Sequence, residues 1–232
     1  MQTFSVLSAI KYQTGHSFLR RTFMTLIAKK SVRDQVYDII KEKIFNQEYQ
    51  LGDTINITAL CKELGVSNTP IREALARLEA EGLVTATMGS KVNVISLDEK
   101  IFTDISTFFC SQILGAFSLC RIMHKTPLLI RMLDEALELQ KASLNEENEY
   151  HFAFKAIEFD RTFVAATENE TMLKIYDSQS SLLYLLTLHT YHKEIKNREE
   201  NLHQHQIIFD AVKSGDIHKA EELIYHHFDK HF

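Results

Sequence analysis

CKELGVSNTPIREALARLEAEGLV, Cys61 to Val84, holds two amphipathic segments parted by one breaker. The first ends with Leu60 and Leu64 at helical spacing and stops at Gly65. The second starts at Ser67 and carries Ile71, Leu75, Leu78 and Leu83 near the same spacing. Ser67 suits an N-cap, and Pro70 falls near the first turn, where its missing N–H costs little. The pattern is helix, turn, helix. The start of the second helix is expected to present Ser67, Asn68, Thr69, Pro70, Arg72 and Arg77, hydrogen-bonding and cationic groups suited to phosphates and base edges. An ordinary amphipathic helical hairpin would look the same, so the flanking sequence has to decide.

Upstream, SVRDQVYDIIKEKIF (31–45) places Val32, Val36, Ile39, Ile40 and Ile44 on one helical face, with Ser31 as N-cap. Residues 46–53 are polar, contain Gly52 and read as a loop. Thr54 to Ile57 reads as a short extended segment, and Thr58 opens the helix that ends at Gly65. Downstream, VTATMGSKVNVI (84–95) alternates Thr85 and Thr87, then Val92 and Val94, about Met88-Gly89-Ser90, the signature of a β-hairpin. Three helices and a hairpin make a winged helix-turn-helix, far more specific than two helices. Its wing tip, with Gly89, Ser90 and Lys91, suits the minor groove or the backbone.

The whole chain has 232 residues, 45% of them hydrophobic, with only 7 Gly and 2 Pro, a helix-rich composition. No uninterrupted apolar run approaches membrane-spanning length, and no membrane partner is expected. The net charge of -5 excludes a generally basic nucleic-acid binder, so any DNA contact must be local. The 3 cysteines form no CxxC pair, which fits a reducing cytoplasm. Residues 1–30 differ: Lys11, Arg20, Arg21, Lys29 and Lys30 are unopposed by any acid. A transit peptide, a basic arm that follows DNA, a disordered arm, or an over-extended frame with Met24 as the natural start all fit, and the last two are preferred. From Ser96 the pattern changes to about six long helices, at Leu97–Lys125, Leu128–Ser143, Tyr150–Thr167, Glu170–His192, Glu194–Lys213 and Ile217–Phe232, an all-α bundle.

The segment 31–95, with its core ELGVSNTPIREALARLEAEGLV, resembles the GntR family of bacterial transcription regulators. That family usually has Arg where Asn68 stands and Pro-Gly where Leu51-Gly52 stands. Arg reads guanine and Asn adenine, so Asn68 puts the usual operator in doubt while leaving DNA binding intact. Residues 96–232 resemble the helical FCD domain of the FadR subfamily, in its six-helix VanR-like form, through EFDRTF (158–163), His205, AVKSGD (211–216) and His227. The expected fold is therefore mainly α, a winged helix-turn-helix followed by an all-α ligand-binding and dimerisation domain.

The resemblance implies more. Many FCD domains hold a divalent metal with one Asp and three His. Carried over, those positions are Asp160, then Val164 where a His is usual, then His205 and His227. Carboxylate and imidazole suit Zn, Ni or Mn, and three protein ligands can leave an open position. Ordinary solvated or core histidines remain the alternative, in a chain with 11 of them. His203 cannot share the helix face of His205. A cavity between the helices would take a small effector, an organic acid by the family's habit; Phe109, Phe163 and Tyr184 either line it or are plain core.

No nucleophile motif, phosphate-cradling loop, HExxH or paired-Cys signature is present, and an enzyme is not expected. The expected function is a homodimeric, metabolite-controlled repressor on a pseudo-palindromic double-stranded DNA operator. The alternative is a helical metal- or metabolite-binding protein without specific DNA binding.

Overall fold

The structure, a computed structural model, describes residues 30–87, 91–146, 149–191 and 195–229. They fall into two compact units, one running to Ile95 and one from Ser96.

In the first unit α1 (Val32–Phe45) starts at Ser31, whose hydroxyl accepts the Asp34 N–H at 3.1 Å. Its buried face is Val36, Tyr37, Ile40, Lys41, Ile44 and Phe45, while Val32 is 51% exposed. The stripe expected from apolar residues alone was thus rotated, because Tyr37 and Lys41 go inside as a bonded pair. β1 (Thr54–Ile55) is shorter than the expected extended segment. Asn56 leaves the strand to cap α2 (Ile57–Leu64), its Oδ1 accepting the Ala59 N–H at 3.0 Å. Gly65 ends α2 with φ of 65°, a left-handed conformation that only glycine adopts cheaply. α3 (Asn68–Ala80) buries Ile71, Ala74, Leu75 and Leu78, each removal from water being worth roughly 1.5–3 kcal/mol for the larger side chains. β2 (Val84–Thr87) and β3 (Lys91–Val94) pair antiparallel with Val84 opposite Val94, and β1 adds to the other edge of β3. The expected turn at Met88 to Ser90 lies outside the described residues, as does the extension through residue 29.

The second unit contains α4 (Glu99–Ile122), α5 (Thr126–Ser143), α6 (Glu149–Ala166), α7 (Glu170–Tyr191), α8 (Ile195–Ser214) and α9 (Ile217–Phe228). Pro127 sits inside the first turn of α5 rather than before it. The expected ends at His192, Glu194 and Phe232 lie outside the described residues. α6 packs against α4, α5, α7 and α8, so it is buried on several sides through Phe152, Ala156, Phe159, Phe163 and Val164. By length and composition alone α4 is apolar enough to cross a membrane, although polar residues such as Asp104 and Gln112 interrupt it. Part of its apolar face packs inward: Phe117 meets Phe163 of α6 edge-on at 6.2 Å, and Phe109 meets Tyr176 of α7 at 5.1 Å.

Candidate DNA-reading surface and metal centre

Ser67 takes the N-cap position of α3 with extended backbone, but its hydroxyl makes no capping bond. Ser67, Asn68, Thr69 and Arg72 are exposed at the first turns, and Pro70 is half-buried. The Arg72 Nε–H donates to Asn68 Oδ1 at 2.7 Å, one turn back. Lys91 opens β3 and is exposed, while Gly89 lies outside the described residues.

Arg77 is not at the start of α3 but in its last turn. Its guanidinium lies 3.7 Å from the Tyr37 ring centre and within 3.6 Å of Asp34 and 3.5 Å of Glu81. It belongs to a joint between α1 and α3. There the Tyr37 hydroxyl donates to Glu81 at 2.6 Å, and the buried Lys41 ammonium donates to Glu81 at 2.8 Å and to the Tyr37 oxygen at 2.7 Å. Burial, reinforced by Glu81, pushes the Tyr37 hydroxyl well above its ordinary pKa, and burial lowers that of Lys41 against the opposing pull of Glu81.

In the second unit Asp160 of α6, His205 of α8 and His227 of α9 converge, with candidate ligand atoms all within 4.8 Å of one another and every residue buried. His205 Nε2 is 3.2 Å from His227 Nε2 and 3.6 Å from Asp160 Oδ1, and His227 Nε2 is 3.8 Å from Asp160 Oδ2. The His205 ring is stacked on Phe159 at 4.2 Å. Burial raises the Asp160 pKa, with His227 opposing, and burial drives that of His205 well below the usual range, with His227 adding to the effect. Val164, one turn beyond Asp160, is fully buried and offers no donor; His203 is exposed. Asp160 and His227 also line a cavity of about 50 Å³ with Ser106, Thr187 and Asn201. Phe109, Phe163 and Tyr184 are not among its lining residues and are core.

Residues 32–94 match the family described as bacterial regulatory proteins, gntR family, and residues 118–230 match the FCD domain, together most of the chain. The chain belongs to the GntR family. Similar relatives include the uncharacterized HTH-type transcriptional regulator YdhC of Bacillus subtilis, 27% identical, covering 84% of this chain and 87% of that protein. The gluconate operon transcriptional repressor of the same organism is 23% identical, over 88% of this chain and 84% of its own length. Among solved structures, a GntR transcriptional regulator of Rhodococcus sp. RHA1 superposes with a TM-score of 0.68 at 17% identity, covering 86% of this chain and 95% of that one. E. coli McbR/YncC gives 0.63 at 17% identity, over 86% and 94%. These two likenesses speak to the fold. This GntR-family protein is a DNA-binding transcription regulator with an FCD domain, and its named relatives are regulators, not enzymes.

Sequence reasoning missed the amides behind the histidines of this GntR-family regulator. His205 Nδ1 lies 2.7 Å from Gln140 Oε1, and the Gln140 amide N–H donates to Asn201 Oδ1 at 2.7 Å, which leaves the oxygen for the ring. His227 Nδ1 lies 2.9 Å from Gln204 Oε1, while the Gln204 N–H donates to Glu200 at 2.9 Å. Both rings therefore donate from Nδ1 and turn Nε2 lone pairs toward each other beside a carboxylate. A cation between them would relieve that repulsion, so the donor set fits a divalent metal held by Asp160, His205 and His227. When bound, such a metal supplies positive charge and an open position for an anionic ligand. Glutamines have no motif signal, since only the fold shows what an amide faces.

Proposed function

We propose that the protein is a homodimeric repressor whose heads read a pseudo-palindromic operator. A short organic acid, held at Asp160, His205 and His227 through Zn, Ni or Mn, changes their affinity for it. The observation that carries this is the convergence of one buried carboxylate and two imidazoles, with Asp160 and His227 reaching a partly open cavity, in a chain that also has a DNA-reading head. Asp160 and the two Nε2 atoms are a ligand set suited to those metals. The cavity, about 50 Å³, has room for roughly three waters, which favours a short ligand. The gluconate operon repressor is named for a hydroxy acid, which supports a carboxylate effector.

At the operator, Ser67, Asn68, Thr69, Pro70 and Arg72 face the major groove, and the wing with Gly89 and Lys91 follows the backbone or minor groove. One recognition helix reaches few bases, so two symmetric heads supply the affinity. A regulator of this type works in the cytoplasm, which suits free Cys61, Cys110 and Cys120.

The test is a gel shift of the purified protein on its own upstream DNA, with and without Zn and a panel of short organic acids, beside native mass measurement. The expected result is a dimer that retards the DNA and is released by one of the acids. No retardation at low salt would leave instead a helical metal- or metabolite-binding protein without specific DNA binding.

A further inference from the structure

The contact between Asn68 and Arg72 changes what each residue can read. Asn68 occupies the first helical position of α3, and Arg72 follows one turn later on the same exposed face. Arg72 uses its Nε–H on Asn68 Oδ1 at 2.7 Å. Among the described residues it has no carboxylate partner, in contrast to Arg77, which is stacked and paired at the α1 joint. The bond restrains the Arg72 guanidinium and does not use its two terminal nitrogens. It turns the Asn68 oxygen toward Arg72, one turn on, and leaves the amide N–H₂ and the oxygen's second lone pair.

An asparagine that reads adenine must accept from N6–H and donate to N7 with one edge of its amide. Holding Arg72 with one Oδ1 lone pair, Asn68 can serve that edge only with the other, so its two tasks compete. We propose that Asn68 is a positioning residue for Arg72, and that its amide N–H₂ is the group it offers to DNA. The Arg72 fork then takes one guanine through O6 and N7, and the Asn68 N–H₂ takes an acceptor on the neighbouring base, a purine N7 or the O4 of thymine. Cytosine, whose major-groove edge offers only its N4 amino donor, is the base rejected there. The inference rests on the DNA-reading function proposed above.

The experiment is selection from a pool of randomised duplexes, followed by titration of the selected duplex and of a non-specific duplex, with the full-length protein. Wild type is expected to enrich a guanine with any base but cytosine beside it. Asn68→Ala should lose the preference at the neighbour and also weaken the guanine preference about tenfold, because Arg72 is no longer held. Asn68→Asp, which keeps the acceptor for Arg72 and removes the donors, should retain the guanine and lose only the neighbour. Asn68 is exposed and the inward face of α3 is untouched, so both variants should keep the wild-type thermal midpoint. Selection of cytosine at the neighbour, or an Asn68→Ala variant with an unchanged guanine preference, would overturn the proposal. A failure to shift even the non-specific duplex at low salt would instead remove the DNA-reading function, and this inference with it.

Discussion

Arg72 and Arg77 stand on one helix, both on exposed positions, yet their surroundings separate them. Arg72→Ala removes a side chain held only by Asn68, so the fold should keep its stability while DNA binding weakens and the salt dependence of that binding becomes shallower. Arg77→Ala removes the stack on Tyr37 and two partly exposed ion pairs. It should destabilise the head by about 1 kcal/mol in urea unfolding, the ion pairs counting for little at 52% side-chain exposure. If the two variants exchanged these phenotypes, the division of roles would be wrong. At the other site the amides behind the imidazoles are the residues to change. Gln140→Leu or Gln204→Leu should lower Zn affinity by about 10–100-fold in calorimetric titration, whereas Gln140→Glu, which keeps an acceptor on Nδ1, should retain it. Equal losses for Leu and Glu would point to packing alone. Asp160, His205 and His227 could be named from sequence because they match a pattern, but Gln140 and Gln204 could not.

At the scale of elements, the head was legible where one residue decides the local backbone. Ser31, Gly65 and the alternation of residues 84–95 each carry a local cause for a helix start, a helix end or a strand. The differences arose where a distant partner decides. Tyr37 and Lys41 are buried because Glu81 meets them, and Asn56 becomes a cap, which shortens β1. Arg77 is drawn to Tyr37 by the same joint. Gly65 gives a clean measure of local backbone preference, since a Cβ added there would meet nothing within 4 Å. Gly65→Ala should therefore cost only the left-handed conformation, about 1 kcal/mol, read as a lower unfolding midpoint of the head with DNA contacts unaltered. A loss several times larger would mean that the turn carries more than backbone strain.

For the whole molecule, two units with separate cores predict separable responses to ligand. Metal that binds only the folded second unit should stabilise it by about 2.7 kcal/mol at one hundred times its dissociation constant. Chelation of the loaded protein should accordingly lower the calorimetric transition of residues 96–232 and leave the head transition in place. A scan indifferent to chelator would remove the metal from the account. The division into a winged head and a helical bundle was readable because hydrophobic period and breaker density change near Ser96. The buried carboxylate was less so: Asp160 lies inside because α6 is packed by four neighbours, a property of topology and not of any local pattern.

The joint of Tyr37, Lys41 and Glu81 grips α3 at the end away from Asn68. A helix of 13 residues is about 20 Å long, so under the proposed reading any tilt about Glu81 is magnified at the end that would meet the bases. A tilt of about 3° at the pivot swings the tip by about 1 Å, more than the tolerance of a good hydrogen bond. Under that reading the stiffness of these three side chains contributes to how sharply sequence is read. Loosening them should blur discrimination between bases before it weakens attraction to phosphates.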